Sequence, residues 1–314
     1  METSTWTSML GAAVKFDGRK YPGRYFEAGE GDPLLLLHGG GGYAENFTRN
    51  IMVYAKYFHV FALDLAWFGM GPKPPFQEDI VEVWLDQLTD FLDWKGYRSA
   101  HVEGQSMGGW AAMCLARERP DWVRRLVLTT ATGLSLKVPQ PAAVAAAAAP
   151  APAPPSAGAP QRANPDDALL NPTYDNVYNR MKGLVADPTR IGEELVRIRM
   201  KLYGMPELQK SMQLAGAAYR NARYGNDTPA SKHCLSEKEL GEIKATTLVY
   251  WGEKNTAPPA VGEALARAIP NAKYFCNPDT GHWAQFEYAD THNREVLRFL
   301  TGNDKLEPPS WESV

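Results

Sequence analysis

Residues 99–119 read SAHVEGQSMGGWAAMCLARER, and the serine near their centre leaves the chain little choice of fold. A short apolar run with strand character enters Gly104-Gln105-Ser106-Met107-Gly108-Gly109, and a helical pattern follows at once. A G-x-S-x-G at a strand-to-helix turn forces its serine into a sharp elbow, with glycines wherever neighbouring backbone crowds it. The helix that begins at Met107 adds partial positive charge beside the hydroxyl. The bare five-residue pattern is common in glycine-rich turns and means little there. With a strand before it and a helix after it, the pattern reads as an exposed, activated serine.

The rest of the chain supplies the frame that such an elbow needs. Leu34–Leu37, Val60–Leu65, Ala100–Glu103, Leu126–Thr129 and Thr247–Trp251 are short apolar runs bounded by turn residues, the pattern of buried parallel strands. Residues 78–94, 107–119, 260–268 and 292–300 carry helical periodicity. Strand–helix alternation predicts an α/β fold, a mostly parallel sheet with helices on both faces. The alternation stops after Thr130 and resumes near Ala245. An Ala/Pro-rich stretch, residues 142–160, opens the gap, and its prolines break any continuous helix. From Asn171 to about Tyr224 the pattern is helical without strand signals. The expected organisation is a first core part (1–135), a helical cap (136–236) and a second core part (237–314). An insertion leaving the carboxyl end of a strand sits over the crevice where such sheets bind ligands.

Composition narrows the partners. The net charge is −3 with no long basic block, which gives nucleic-acid binding no electrostatic support. Cys114, Cys234 and Cys276 form no CxxC pair, and the six histidines show no metal-ligand spacing. The amino-terminal residues carry no basic segment followed by a long apolar run, and no stretch has membrane-spanning length. A cytoplasmic protein acting on a small molecule, without cofactor, metal, nucleic acid or membrane, is the expectation.

Two further motifs join the elbow. His38-Gly39-Gly40-Gly41-Gly42 follows the LLLL strand; it is either a flexible turn or a source of oxyanion-binding N–H groups, from Gly40 together with Met107. Gly281-His282-Trp283-Ala284-Gln285-Phe286-Glu287 follows the last strand, KYFCNP, and places His282 after the elbow as a general base requires. In EELVRIRMKLYG, Arg199 falls on the apolar stripe of Leu195, Ile198 and Leu202. A buried guanidinium needs an anionic partner. That partner is a substrate carboxylate or an internal acid, unless the side chain snorkels to the surface.

With these residues in view, the chain resembles the meta-cleavage product hydrolases, carbon–carbon bond hydrolases of aromatic catabolism with the α/β-hydrolase fold. The resemblance rests on HGGGGYAENFTRN, GQSMGG, LGEIKATTLVYWG, GHWAQFEYADTHNREVLRFL and NPTYDNVYNRMKGL…EELVRIRMKLYG. It implies that Ser106 and His282 act on a 2-hydroxy-6-oxo-hexa-2,4-dienoate-type substrate, with Gly40 and Met107 as oxyanion donors. It also implies that Asn46, Arg199 and Trp283 hold the anionic dienoate end. Family members often form dimers or larger assemblies, so a homo-oligomer stays an open expectation.

Two positions depart from the family pattern. Gln105 stands where the family usually has asparagine, a side chain longer by one methylene at a position that the resemblance assigns to a polar substrate contact. Asn255 stands in WGEKN where the family has its acid. An asparagine still accepts a hydrogen bond from the histidine ring but offers no charge. Glu103, Glu253 and Asp279 are the carboxylates positioned in sequence to substitute. The alternatives are a non-hydrolytic lyase, cyclase or isomerase on the same fold, or a binding protein with weakened catalysis.

Overall fold

The computed structural model describes residues 4–136, 138, 167–223 and 227–314; the Ala/Pro-rich stretch lies outside them. Its strands in chain order are β1 (Ala13–Asp17), β2 (Gly23–Ala28), β3 (Pro33–Leu37), β4 (His59–Leu63), β5 (Ala100–Gln105), β6 (Val123–Thr129), β7 (Leu134–Ser135), β8 (Leu235–Ser236), β9 (Thr246–Gly252) and β10 (Ala272–Asn277). Eight of them form one sheet in the order β1-β2-β4-β3-β5-β6-β9-β10, with β7 and β8 paired separately. In that order every pairing from β4 to β10 is parallel, while β2 runs antiparallel to both of its neighbours, β1 and β4.

The LLLL run is apolar throughout because both faces of the sheet are covered. Leu34 and Leu36 enter the core beneath the carboxyl-terminal helix, alongside Val296 and Leu297. Leu35 and Leu37 point the other way, into a core with Trp84 and Trp110. Alternation along the strand thus persists, with both faces apolar. The helices that frame the crevice and the core are α1 (Ile80–Trp94), α2 (Met107–Glu118), α3 (Tyr174–Lys182), α4 (Glu193–Tyr203), α5 (Pro206–Arg223), α6 (Pro259–Ala268), α7 (Ala284–Glu287) and α8 (Ala289–Thr301). Asp79 caps α1 by accepting from Glu82 N.

The β1–β2 hairpin goes beyond the strands expected from the sequence. Most of β1 is exposed at the sheet edge, so it carries no apolar run to mark it. The inserted segment also departs from the all-helical expectation, since β7 and β8 pair where it leaves and rejoins the core. Its helices are not an isolated layer. Met181 of α3, Leu195 and Leu202 of α4, and Met212 of α5 belong to the same apolar cluster as Trp84 and Trp110.

Strand order reverses between β3 and β5: β4 lies on one side of β3, and the chain then crosses to the other. Loops leaving the carboxyl ends of β3 and β5 diverge there and open a crevice. Those loops are the glycine run and the serine elbow. Among the described residues, no helix is long and apolar enough to cross a membrane.

Candidate active site

Ser106 has φ 54° and ψ −113°, a conformation that non-glycine residues rarely adopt. Packing holds it there. Ser106 N donates to Thr129 O at 3.0 Å, and Ser106 O accepts from Trp110 N at 3.1 Å and Thr132 N at 3.2 Å. A Cβ on Gly104 would lie 2.3 Å from Gly108 O, and one on Gly108 would lie 2.1 Å from Leu37 O. The elbow therefore needs glycine at both positions, as the sequence pattern required.

The glycine run after β3 turns tightly, with Gly42 N donating to Gly39 O at 2.9 Å. Among the described residues, neither the Gly40 N–H nor the Met107 N–H is taken by another protein group. Side chains from the inserted helices fix the carbonyls on the other side of this turn: Arg180 Nη2 donates to Gly40 O at 3.3 Å and Tyr203 Oη donates to Gly41 O. The ring of Tyr219 lies 3.3 Å from where a Gly40 Cβ would be. His38 takes no part, because its Nε2 accepts from Leu65 N and its Nδ1 faces Gly39 O.

His282 lies on the loop after β10. Its backbone oxygen accepts from Thr130 Oγ1 at 2.8 Å and from Gln105 Nε2 at 3.2 Å. Its Nδ1 lies 2.9 Å from Asn255 Oδ1. With that oxygen as acceptor, the ring carries its proton on Nδ1 and keeps the Nε2 lone pair. Burial, reinforced by the Arg223 guanidinium, pulls the ring down to about 4, so it is neutral at pH 7. Asn255 is buried, and among the described residues its Nδ2 has no partner.

None of the alternative acids reaches this ring. Glu103 is fully buried in the core, 3.4 Å from His292, and desolvation pushes its carboxyl up to about 8. Glu253 is exposed, and Asp279 is exposed with Lys254 3.8 Å away.

Arg199 is 1% exposed, which excludes snorkelling to the surface. Its Nη2 donates to Asn46 Oδ1 at 2.9 Å and its Nε to Tyr43 Oη at 3.4 Å. The Tyr43 and Trp283 rings lie 5.0 and 5.2 Å from its guanidinium carbon. Among the described residues it forms no ion pair with a carboxylate, so the internal salt bridge weighed from the sequence is not there. All the site residues expected from the sequence except Asn255 and Met107 line one cavity of about 30 Å³, joined by Leu184 from the inserted segment. Among the described residues, no hydrogen bond joins Ser106 Oγ to the His282 ring across it.

Gln105 is the position where the expectation changes most. Its amide donates to the His282 carbonyl, and its Oε1 lies 2.3 Å from where a Gly39 Cβ would be. The extra methylene reaches the histidine loop. Several neighbours carry no mark in the sequence: Thr130, Arg180, Leu184, Tyr219 and Glu287. Glu287 lies within the GHWAQFE motif, but periodicity assigns it no task. The scattered histidines also hid a grouping, Cys114–Glu118–His233, whose ligand-type atoms lie within 4.8 Å of one another. Those atoms already have partners: His233 Nδ1 meets Glu118 at 2.9 Å, its Nε2 meets Asp79 at 3.1 Å, and Cys114 Sγ donates to His233 O.

Residues 32–289 match the alpha/beta hydrolase fold family. The 2-hydroxy-6-oxononadienedioate/2-hydroxy-6-oxononatrienedioate hydrolase of Comamonas testosteroni is 30% identical over 280 residues, covering 87% of this chain and 89% of that protein. The 2-hydroxy-6-oxo-6-phenylhexa-2,4-dienoate hydrolase of Burkholderia cepacia is likewise 30% identical, over 87% of this chain and 89% of its own length. Among solved structures, a 2-hydroxy-6-oxo-6-phenylhexa-2,4-dienoate hydrolase from Rhodococcus superposes with a TM-score of 0.75 at 20% identity. It covers 92% of this chain and 99% of that one, a likeness of fold. The chain belongs to the meta-cleavage product hydrolases of the α/β-hydrolase fold.

Proposed function

We propose that the protein hydrolyses a carbon–carbon bond in a 2-hydroxy-6-oxo-hexa-2,4-dienoate-type ring-fission product. The observation that carries this reading is a buried guanidinium, Arg199, opening without a carboxylate partner onto the same cavity as Ser106 and His282. A guanidinium so placed matches a substrate carboxylate by geometry and charge, and a neutral ester would leave it uncompensated. Arg199, Asn46 and Trp283 hold the carboxylate end, and Gln105 lines the same cavity while donating to the histidine loop. This makes the substrate an anion.

At the reacting end, neutral His282 accepts the proton of Ser106 Oγ, or of a water held beside it, through Nε2. The oxygen nucleophile adds to the ketone carbon. The Gly40 and Met107 N–H groups, which no other described protein group uses, receive the oxyanion. The carbon–carbon bond breaks in the keto tautomer, in which the 2-hydroxyl has released its proton and carbon 5 has taken one up. The electron pair of the C5–C6 bond then delocalises onto the C2 oxygen and leaves as a dienolate. The oxygen of water ends in the released acid. Asn255 holds the tautomer that makes His282 a base, but it leaves the transient imidazolium without a counter-charge.

A cavity of about 30 Å³ holds a water or two. A dienoate needs roughly ten times that volume, so the helices of the inserted segment act as a cap that withdraws to admit it. Ser106→Ala and His282→Ala test the reading together. Each should lower turnover of a ring-fission dienoate by at least ~10³-fold while the fold persists. Wild-type rates in both variants would refute it. Labelled water should place its oxygen in the released acid; unlabelled product would point instead to a lyase, cyclase or isomerase.

A further inference from the structure

We propose that Glu287 is a positioning residue that couples the seating of the cap to the placement of His282; the inference rests on the serine–histidine reading of the site. Glu287 is fully buried at the end of α7. One carboxylate oxygen accepts from Ala186 N and Asp187 N, each at 2.7 Å, on the chain segment after α3. The other accepts from Gly281 N at 2.7 Å, the residue directly before His282. Among the described residues no Lys, Arg or His nitrogen pairs with this carboxylate, so three backbone N–H groups compensate its charge.

Adjacent contacts tighten the same seam. Trp283 N donates to Leu184 O at 2.8 Å, and Arg190 Nη1 donates to the backbone oxygen of Glu287 at 3.0 Å. Residues 184–187 are therefore stitched to residues on both sides of His282. Leu184 lines the cavity itself. The seam closes only because residue 281 lacks a side chain: a Cβ there would lie 2.8 Å from Ala186 N and 2.9 Å from Val185 C, both backbone atoms. A carboxylate suits this place because it accepts on both oxygens. A carboxamide turns one end into a donor and sets it against an N–H. When the cap withdraws, this seam carries the displacement to the base, and when it returns the base is seated again.

Two variants attack the seam from opposite sides, Glu287→Gln and Gly281→Ala. Both are assayed as the full chain, well below their melting temperatures, for dienoate turnover and for reaction with a fluorophosphonate. In the second reaction Ser106 Oγ bonds to phosphorus, fluoride leaves and His282 takes the hydroxyl proton; neither Arg199 nor the dienoate subsite is involved. The expected result is a fall of at least ~10-fold in both kcat and the phosphonylation rate, with KM changed far less, because a small misplacement of the base is costly. Phosphonylation of the folded variants at the wild-type rate would overturn the proposal, even if their melting temperatures drop. If Glu287→Gln does not fold, Gly281→Ala decides alone. Wild-type protein inert to the probe would refute the serine–histidine reading itself, a separate outcome.

Discussion

Asn255→Asp isolates the one electrostatic component that the site lacks. His282 Nδ1 lies 2.9 Å from Asn255 Oδ1, and the ring is held down to about 4 with no anion beside it among the described residues. Two unit charges about 4 Å apart at an effective dielectric of about 20 attract by roughly 4 kcal/mol. That corresponds to about 3 pKa units, an upper bound on how far the new carboxylate lifts the ring. The opposing cost is visible in the same residue. Asn255 is buried and its Nδ2 makes no described hydrogen bond, so the second carboxylate oxygen leaves water without taking over an existing bond. An uncompensated buried oxygen costs about 1–3 kcal/mol and favours uptake of a proton. The gain therefore falls well short of the ~10⁴ that separates Asp from Asn in a serine protease. We expect hydrolysis to rise about 10- to 100-fold, or roughly 1.4–2.7 kcal/mol, with a lower melting temperature. The assay is kcat/KM against pH, followed by loss of the conjugated dienolate absorbance. Wild-type activity that depends on neutral His282 is present above about pH 4 and lost as pH falls through it. In the variant that limb should move toward neutral pH. A fall in hydrolysis by folded variant, or an acid limb that stays in place, would refute Asn255 as the electrostatic partner of the base.

Replacing Arg199 by Gln should raise KM for a dienoate by about 10- to 100-fold, the loss of one or two charge-assisted hydrogen bonds, with a smaller change in kcat; an unchanged KM would remove Arg199 from the substrate. Stability should fall as pH drops below about 6.5, because burial holds His101 and His282 at about 4 and His292 at about 3, while the unfolded chain takes up those protons near 6.5. Urea midpoints at pH 7.5 and 5.5 check this. Glu103 works in the opposite sense: its folded carboxyl titrates at about 8 against an unfolded value of 4.5, so its contribution is complete below 4.5 and is lost as pH rises through 8. Glu103→Gln should therefore be stabilised relative to wild type by a margin that grows from pH 5 to pH 8, and a pH-independent margin would contradict it.

Local backbone geometry is the part of this protein that the sequence determined by itself. Ser106 must leave a strand through a sharp positive-φ elbow that crowds the backbone two residues to either side, so Gly104 and Gly108 announce the elbow in the sequence. The buried runs of β3 and β9 are equally legible, because a strand covered on both faces is mostly apolar. The exposed hairpin strand β1 was not, since nothing buried marks it. Tertiary structure alone decided which polar groups meet. Asn255 and His282 are 27 positions apart, and only packing of the loops after β9 and β10 makes the amide oxygen the partner of Nδ1 while Glu103 turns into the core toward His292. A helical stripe could bury Arg199, but whether an acid awaited it depended on side chains from α4, the glycine loop and the histidine loop converging on one point. Glu287 stood in plain view in the motif after His282. Its task became apparent only when the inserted segment at 186–187 folded back against it, because a carboxylate's partners are set by the arrival of distant backbone and not by its own neighbours in the chain.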